Sequence, residues 1–381
     1  NSLSILNGGN SVLGNAFLIP EDVANPNLTW QTNTETNFGV DLGILNNRFT
    51  LGVDYYTSDI EDILIDQSVS EVFGTSSVKL NSGDVKSSGL EFEFNARLLS
   101  NDDFSWNMSA NLSTVNTEIT NLGPLTQLPD VAFGTSGRAA VYRNYVGGEI
   151  GELWALETTG WVEEKHMINP LDVIGNSSGE VYVVDQQQPG EPGFGVIDAT
   201  KSVEDGGDLV KQGTNTPDFY WGMTQNISYK NFDLSMQWQG SHGGVLYNVD
   251  PLYNGSNWGG RLRGSFDANN DKIEDATGKH YTRARDRTDA VIQDAGFVAL
   301  RNLTVGYTLN QNIVDKIGLS SVRVYGAASN LLYLVGDNYT SYNPEGINTT
   351  NSGYQGHTTY GHQEGASPVL RSFTIGLNVN F

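Results

Sequence analysis

An acidic stretch in the second half of the chain carries oxygen-bearing side chains at alternate positions. Asp267, Asn269, Asp271 and Asp275 follow the spacing with which loop carboxylates and amides surround Ca²⁺. Two departures weaken the pattern, because Lys272 stands where calcium loops turn on glycine and the twelfth position lacks the chelating glutamate. The sequence predicts a candidate Ca²⁺ site here, with a solvated acidic loop as the alternative.

Aromatic side chains in the long polar stretches are a second candidate for chemistry, since exposed rings stack on sugars and pack against peptide side chains. Residues 247–260 are the richest such stretch, so we predict that they are the most relevant to a ligand. Contact with a partner protein and packing among the loops themselves are the alternatives. The rings predicted to contact a substrate or a partner are Tyr247, Tyr253, Trp258, Trp161 and Tyr281.

The remaining reactive side chains do not favour an enzyme. His357 and His362 could form a metal pair, but two loop histidines without further ligands are more often surface residues. Glu91 and Glu93 have the residue types of a glycosidase pair, yet alternate positions on a strand more simply place both on one wet face. The chain has no cysteine and no phosphate loop.

Long β-strands are the elements predicted to position these residues. Apolar and polar residues alternate with period two over runs of about ten residues, as a strand with one apolar and one polar face requires. Such runs are long enough to cross a bilayer when tilted, whereas strands of soluble sheets average about 5–6 residues. The predicted strands are 38–43, 49–56, 90–98, 104–113, 219–229, 232–239, 297–309, 322–332 and 369–381, with a weaker candidate at 149–156.

Composition and loop lengths decide between a membrane barrel and a soluble sandwich, which share this alternation. The net charge of −23 argues against nucleic acid, and no run of 18 apolar residues predicts a transmembrane helix. Aromatic residues cluster at strand ends, as in an interfacial girdle. Short turns after residues 43, 99, 229 and 310 alternate with long predicted loops at 57–87, 157–217, 241–295 and 333–368. These features favour an all-β transmembrane barrel.

About ten strands with a strongly polar inner face are not expected to close as a complete small barrel, whose interior must be packed. The chain also starts without methionine or a signal peptide. We therefore expect residues 1–381 to form the C-terminal portion of a larger antiparallel transmembrane β-barrel with long extracellular loops.

Several short motifs follow one another in a fixed order. They are 25–32 (NPNLTWQT), 39–41 (GVD), 46–49 (NNRF), 54–56 (DYY), 81–91 (NSGDVKSSGLE), 147–153 (GGEIGEL), 229–234 (YKNFDL), 239–241 (QGS), 297–307 (FVALRNLTVGY), 330–332 (NLL) and 343–345 (NPE). Their order and spacing resemble the C-terminal barrel half of SusC-type TonB-dependent transporters of Bacteroidota outer membranes. The chain departs from that pattern at Glu149, where the family has proline, and at 198–208, a degenerate version of an acidic stretch of the family.

The resemblance implies a 22-stranded barrel in the bacterial outer membrane, with an N-terminal plug domain that this sequence does not contain. It implies import of a bulky nutrient, glycan or peptide, with a SusD-like surface lipoprotein as lid and TonB as the periplasmic partner. It further implies contact with outer-membrane lipid and lipopolysaccharide, and recognition of Phe381 by the barrel-assembly machinery. A passive porin and a soluble extracellular β-sandwich adhesin are the alternatives.

Overall fold

The computed structural model describes most of the chain. The described residues are 6–12, 15–20, 25–68, 77–132, 141–157, 167–168, 183–184, 186–187, 190–194, 197–198, 200–248, 289–336, 338–346, 361–363 and 367–381.

The regular secondary structure of these residues is almost wholly β-strand. The strands are β1 (Leu6–Val12), β2 (Asn15–Pro20), β3 (Thr32–Ile44), β4 (Phe49–Ser68), β5 (Ser77–Ser100), β6 (Phe104–Ser113), β7 (Asn116–Leu122), β8 (Val131–Ala132), β9 (Val141–Arg143), β10 (Glu152–Leu156), β11 (Met167–Ile168), β12 (Val183–Val184), β13 (Leu209–Thr214), β14 (Phe219–Tyr229), β15 (Phe232–His242), β16 (Val245–Asn248), β17 (Ile292–Asp294), β18 (Phe297–Thr308), β19 (Ser321–Val335), β20 (His362–Gln363) and β21 (Ser372–Asn380). Helical structure within the described residues comprises α1 (Gln311–Val314) and the 3-10 turns Val203–Asp205, Asp289–Val291 and Asp315–Ile317. None of these helices is long and apolar enough to cross a membrane.

One antiparallel sheet dominates the structure. Its strands follow in the order β3, β4, β5, β6, β14, β15, β18, β19 and β21, and β7 pairs with the far part of β5 as a tenth strand. The sheet is an open arc, with β3 and β21 at its edges among the described strands. The prediction of an all-β antiparallel sheet of about ten strands is confirmed.

One face of this sheet is apolar and exposed over several adjacent strands. Phe38 is 70% exposed and Leu42 is 53% exposed, although each lies in the middle of a regular, hydrogen-bonded strand. A soluble sheet would cover such a face, because an exposed apolar surface of this extent marks a contact with another apolar phase. Aromatic rings border the face next to the short turns, where Phe104 lies 6.4 Å from Tyr229 and Phe232 lies 4.7 Å from Tyr307.

The predicted loop at 57–87 is wrong, because most of it continues the strands. β4 runs to Ser68 and β5 begins at Ser77, and their pairing is interrupted only by bulges near Asp62, whose φ is 63°. Twenty residues of β4 span roughly 66 Å, about twice the thickness of a bilayer core. Beyond Tyr55 neither face has to meet lipid, so the apolar alternation ends while the backbone pairing continues.

The turn between β3 and β4 explains the Asn-Asn-Arg motif. Leu45, Asn46 and Asn47 have φ of 53°, 56° and 58°, a left-handed conformation that asparagine tolerates better than most residues. Arg48 then donates from Nε to the carbonyl of Arg97 at 2.8 Å and from Nη2 to the carbonyl of Leu98. The guanidinium thus satisfies two carbonyls at a bulge of β5.

The connection between β18 and β19 is longer than the short turn predicted after residue 310. Residues 309–320 contain α1 and a 3-10 turn, which ends at Gly318 with a φ of 71°. The last predicted strand, 369–381, is observed as β21 and pairs along its whole length with β19.

Two smaller sheets lie at the end of the large sheet that carries the long connections. One has the order β13, β10, β9 and β8, and the other has the order β17, β16 and β20. The weaker predicted strand at 149–156 is β10, which belongs to the first of these sheets and not to the barrel wall. Both sheets share the buried cluster Tyr142, Leu153, Ala155, Tyr247, Val291 and Ile292, and we call them together the loop platform.

Candidate functional site

The second face of the large sheet is polar and carries side chains in register across neighbouring strands. Within one row, Asn302 Nδ2 donates to Gln237 Oε1 at 2.8 Å, and Ser329 Oγ donates to Asn302 Oδ1 at 3.2 Å. These amides and hydroxyls offer donors and acceptors without charge. From β5 to β19 the row consists of Asn95, Ser109, Thr224, Gln237, Asn302 and Ser329.

A groove of about 690 Å³ follows this polar face between β4 and β15. Its β4–β5 side is acidic, because Asp54 lies directly opposite Glu91, with Glu93 further along the same face. Like charges opposite one another repel in a sheet. This end of the groove therefore disfavours anionic solutes and favours neutral or cationic ones.

Beyond the groove, the same polar face is organised around Arg301 of β18. This residue is the extra one at a bulge of the strand, and its guanidinium lies 5.2 Å from the ring centre of Phe297 and 5.5 Å from that of Tyr333. It pairs with Glu345, whose Oε2 also accepts a hydrogen bond of 2.9 Å from the Tyr333 hydroxyl. The charged group thus lies against both rings, which stack on each other with 5.4 Å between their centres, and its pairing with Glu345 fixes residues 338–346 to the barrel wall.

Near the short turns, an ion pair crosses from β15 to β19 over the intervening strand. Arg323 Nε donates to Asp233 Oδ1 at 2.9 Å, and the pair passes directly above Gly306. A Cβ atom on Gly306 would lie 2.4 Å from Asp233 Oδ1 and 2.5 Å from Arg323 Nη2. Glycine is required here because only a residue without a side chain leaves room for the pair.

The core of the loop platform includes one of the aromatic residues predicted to contact a ligand. Tyr247 is only 2% exposed, and its ring stacks on His362 with 5.5 Å between ring centres. The Tyr247 ring therefore is not presented to a ligand in this structure. His362 was expected at the surface, and this expectation is wrong, because the residue is 4% exposed and β20 packs its ring into the platform.

A buried carboxylate on β10 joins this strand to its neighbour β13 in the first platform sheet. Glu152 is 1% exposed, and its Oε1 accepts hydrogen bonds from Lys211 Nζ at 2.9 Å and from the Glu149 amide at 2.9 Å. Lys211 Nζ also donates to Glu149 Oε2 at 3.0 Å. Burial lowers the pKa of Lys211, but hydrogen bonds to Glu152 and Glu149 and their negative charge outweigh it, so the pKa is raised.

The position at which the chain departs from the SusC-type motif thus has a structural role. Glu149, in place of proline, gives Lys211 a second carboxylate and a free backbone amide for Glu152. Trp154 Nε1 completes the arrangement by donating to Glu152 Oε2 at 3.0 Å, and the Arg143 guanidinium lies 5.1 Å from the Trp154 ring centre. Burial and the charge of Glu152 raise the pKa of Tyr145, which lies edge-on to Trp154.

A cleft of about 470 Å³ separates the loop platform from the rim of the large sheet. Glu149 and Lys211 line it on the platform side, and Asp218 and His242 line it on the rim side. The chain enters the platform from β15 through Gly243 and Gly244, whose φ of 70° and 75° are readily adopted only by glycine.

The acidic segment 198–208 forms a compact turn stabilised by its own side chains. Asp208 Oδ1 and Oδ2 accept hydrogen bonds from the amides of Gln186 and Asp198 at 2.8 and 2.7 Å. Lys201 Nζ lies 3.6 Å from Asp198 Oδ2. Hydrogen bonds from Thr200 lower the pKa of Asp198 despite its partial burial. Within the described stretches no group of three or more His, Asp or Glu side chains could hold a metal ion.

Most predicted site residues lie outside the described residues. These are Trp161, Tyr253, Trp258 and Tyr281, the Ca²⁺ candidates Asp267, Asn269, Asp271 and Asp275, and His357. Phe381 follows the end of β21 and is 94% exposed.

The sequence did not reveal two charged sites that join distant parts of the chain. Arg301 and Glu345 are 44 residues apart, and Lys211 and Glu149 are 62 residues apart. Both charged pairs bring together segments with no periodic signal that links them. The available hint was that Arg301, Glu345 and Glu149 each fall inside a short motif of the SusC-type pattern.

Comparison with known proteins identifies the family to which this chain belongs. A family model described as the β-barrel of TonB-dependent receptor-like proteins matches residues 3–204, more than half of the chain. The chain belongs to this TonB-dependent receptor family. Such receptors are barrels of the bacterial outer membrane, so the apolar face of the large sheet meets lipid and the polar face lines the lumen. The family is one of receptors and not of enzymes.

Curated relatives are similar over almost the whole length of this chain. TonB-dependent receptor P3 of Formosa agariphila is 30% identical over 371 residues, which cover 94% of this chain and 35% of the relative. TonB-dependent receptor SusC of Bacteroides thetaiotaomicron is 27% identical over 374 residues, which cover 94% and 32%. The chain therefore spans about a third of the length of these relatives, and its SusC-type resemblance is confirmed.

Solved structures support the same fold. The RagAB peptide importer in its open-open state aligns with a TM-score of 0.71 and 20% identity, over 100% of this chain and 38% of that chain. A second RagAB structure, described as a peptide transporter, gives a TM-score of 0.69 over 39% of its chain. The open arc of strands is thus the shape that this part of a receptor barrel has in proteins of the same fold.

Proposed function

We propose that the protein containing this chain imports a bulky nutrient, a glycan or a peptide, across the outer membrane by TonB-dependent transport. The observation that carries the proposal is the polar lumen wall, where rows of amides and hydroxyls border a groove of about 690 Å³. A wall of this kind offers many exchangeable hydrogen bonds, so that a polar polymer can bind and still move on.

The loop platform supports a role in capture at the extracellular end. Its buried cluster and the Arg301–Glu345 pair hold the described part of the long connections in one arrangement above the lumen. We propose that a SusD-like surface lipoprotein closes over this platform, and that Tyr253, Trp258, Tyr281 and Trp161 contact the solute or that lid. We further propose that Asp267, Asn269, Asp271 and Asp275 bind a Ca²⁺ ion in the same long connection.

The rest of the machinery lies outside this chain. We propose that residues 1–381 form one arc of a 22-stranded barrel, whose plug domain is supplied by another part of the protein. TonB would act on that plug from the periplasm and open a path along the lumen wall. The barrel-assembly machinery would recognise the strand that ends at Phe381.

Uptake by whole cells tests the proposal. Labelled oligopeptides and oligosaccharides should enter cells that contain the protein, and entry should stop when TonB is deleted or the proton gradient is collapsed. Uptake that continues without TonB would identify a passive porin instead. Release of the protein into buffer without detergent would identify the soluble adhesin.

A pair of neighbouring substitutions links uptake to the lumen wall. Thr224 faces the groove, whereas Gln225 is its neighbour on the lipid side. Thr224→Trp should therefore narrow the groove and reduce uptake, and Gln225→Trp should leave it unchanged. Equal effects of the two variants would contradict a solute path along this wall.

A further inference from the structure

The lipid-facing surface of β3, β4 and β5 ends at a sharp boundary on the side of the long connections. Phe38, Tyr55 and Leu90 lie side by side in one cross-strand row. The next row on the same face contains only hydroxyls, from Thr36, Thr57 and Ser88. Apolar side chains thus give way to hydroxyls within a single repeat of the strand, about 7 Å along its axis.

A charged row follows directly above the hydroxyl row. Lys86 lies opposite Asp59 on one side and opposite Glu118 of β7 on the other. All three side chains are exposed, and Lys86 forms no ion pair with the part of the chain that the structure describes. Because strand faces alternate regularly here, these side chains point the same way as Leu90, toward the membrane side and away from the lumen.

We infer that this surface binds a phosphorylated glycolipid of the outer leaflet, the chemistry of lipopolysaccharide. Lys86 is four residues beyond Leu90, which is about 13 Å along the strand and about 10 Å above the apolar row at the usual tilt of such strands. The order of the apolar, hydroxyl and charged rows matches the order of acyl chains, sugar and phosphate in such a glycolipid. Lys86 binds the phosphate, and Asp59 and Glu118 bind divalent cations that bridge to it.

A phospholipid fits this surface less well than a glycolipid. A phospholipid places its phosphate directly above the acyl chains, at the height of the hydroxyl row, where the described strands β3, β4 and β5 carry no positive charge. The side of the long connections is also the extracellular side in receptor barrels, so the leaflet in contact is the outer one. The inference depends on the location of the barrel and not on what the protein transports.

Lipid retained on the purified full-length protein tests this site. Wild type, Lys86→Glu and the control Lys79→Glu are extracted from outer membranes in mild detergent, and bound lipopolysaccharide is counted by native mass spectrometry. Lys79 carries the same charge on the same strand, about 23 Å farther along the strand from the apolar row. Lys86→Glu should retain about fivefold less lipopolysaccharide, as expected for about 1 kcal/mol per lysine at a lipid surface, and Lys79→Glu should retain the wild-type amount.

Several outcomes would overturn the site. These are equal retention by wild type and Lys86→Glu, equal loss in both lysine variants, and equal rebinding of wild type to lipopolysaccharide and to phosphatidylglycerol vesicles. Heat-modifiable migration in electrophoresis verifies that each barrel is folded. If Lys86→Glu does not fold, the neutral variant Lys86→Gln replaces it, and full retention by that variant refutes the role of the charge.

Discussion

Arginine substitutions along β15 test which face of the sheet meets lipid. Leu234 lies on the apolar face between Ile227 of β14 and Val305 of β18. Leu234 lies two residues deeper in the membrane than Phe232, one of the aromatic residues that border the apolar face. Two residues correspond to about 5 Å of depth at a strand tilt of roughly 40°. Met236 lies two residues deeper, close to the middle of an apolar band about 25 Å tall.

The depth of each residue sets the expected cost. An arginine on the lipid-facing surface of a barrel destabilises it by roughly 2–4 kcal/mol at the membrane midplane. This destabilisation falls to about 0–1 kcal/mol at the interfaces. We therefore expect the free energy of unfolding to fall by about 3 kcal/mol in Met236→Arg and by about 2 kcal/mol in Leu234→Arg. Ser235→Arg should cost less than about 1 kcal/mol, because Ser235 faces the lumen between Asn226 and Thr304.

The measurement is the free energy of unfolding in urea, with the protein refolded into lipid vesicles. Ser235 is the matched control because it adjoins both lipid-facing positions in the same strand. The reasoning is refuted if Ser235→Arg destabilises as much as its neighbours, since the faces would then be assigned wrongly. It is also refuted if Met236→Arg costs less than Leu234→Arg, since depth would then not govern the cost.

Three further predictions concern single contacts. Gly306→Ala should destabilise the barrel by roughly 1–3 kcal/mol in the same assay, because its methyl group would displace the ion pair above it; Gly326→Ala, with open space around its Cβ, should be close to neutral. Arg48→Ala should cost about 1 kcal/mol by leaving two carbonyls of β5 unpaired, and an unchanged urea midpoint would contradict this. Lys211→Met should destabilise the loop platform by about 2 kcal/mol and therefore speed its proteolysis. The loss of stability is limited to this value because Lys211 is 40% exposed to solvent. Adding Glu152→Gln should restore part of the lost stability. The pKa of Lys211 is raised in the folded state, so its stabilisation is present below a pH of about 10.4 and is lost as the pH rises further.

The barrel wall was the most predictable part of the fold. A membrane strand must alternate apolar and polar residues along its length, so Phe38 to Leu42 and the run before Phe381 carried the signal in their own composition. The same reason explains the failure at 57–87, where β4 and β5 continue into water and no face needs to be apolar. Pairing there depends on backbone hydrogen bonds, which leave no mark on side-chain type.

The loop platform was much less predictable. Its strands are short, from two to six residues, and they bury mixed faces against one another, so neither period two nor a long apolar run appears. His362 illustrates the difficulty, since its burial depends on β20 pairing with β16 more than a hundred residues earlier. A histidine in a polar stretch gives no sign of that partner.

The sequence by itself determined that this chain is a wall of long antiparallel strands with one lipid-facing and one wet face. That information is local, because each residue's polarity has to suit the medium it meets. Only the tertiary structure decided which polar side chains stand in one row, that Arg301 lies against two stacked rings and pairs with Glu345, and that Lys211 neutralises the buried Glu152. Those contacts join segments tens of residues apart, and their formation depends on strand register and loop folding, which residue type does not encode at either end alone.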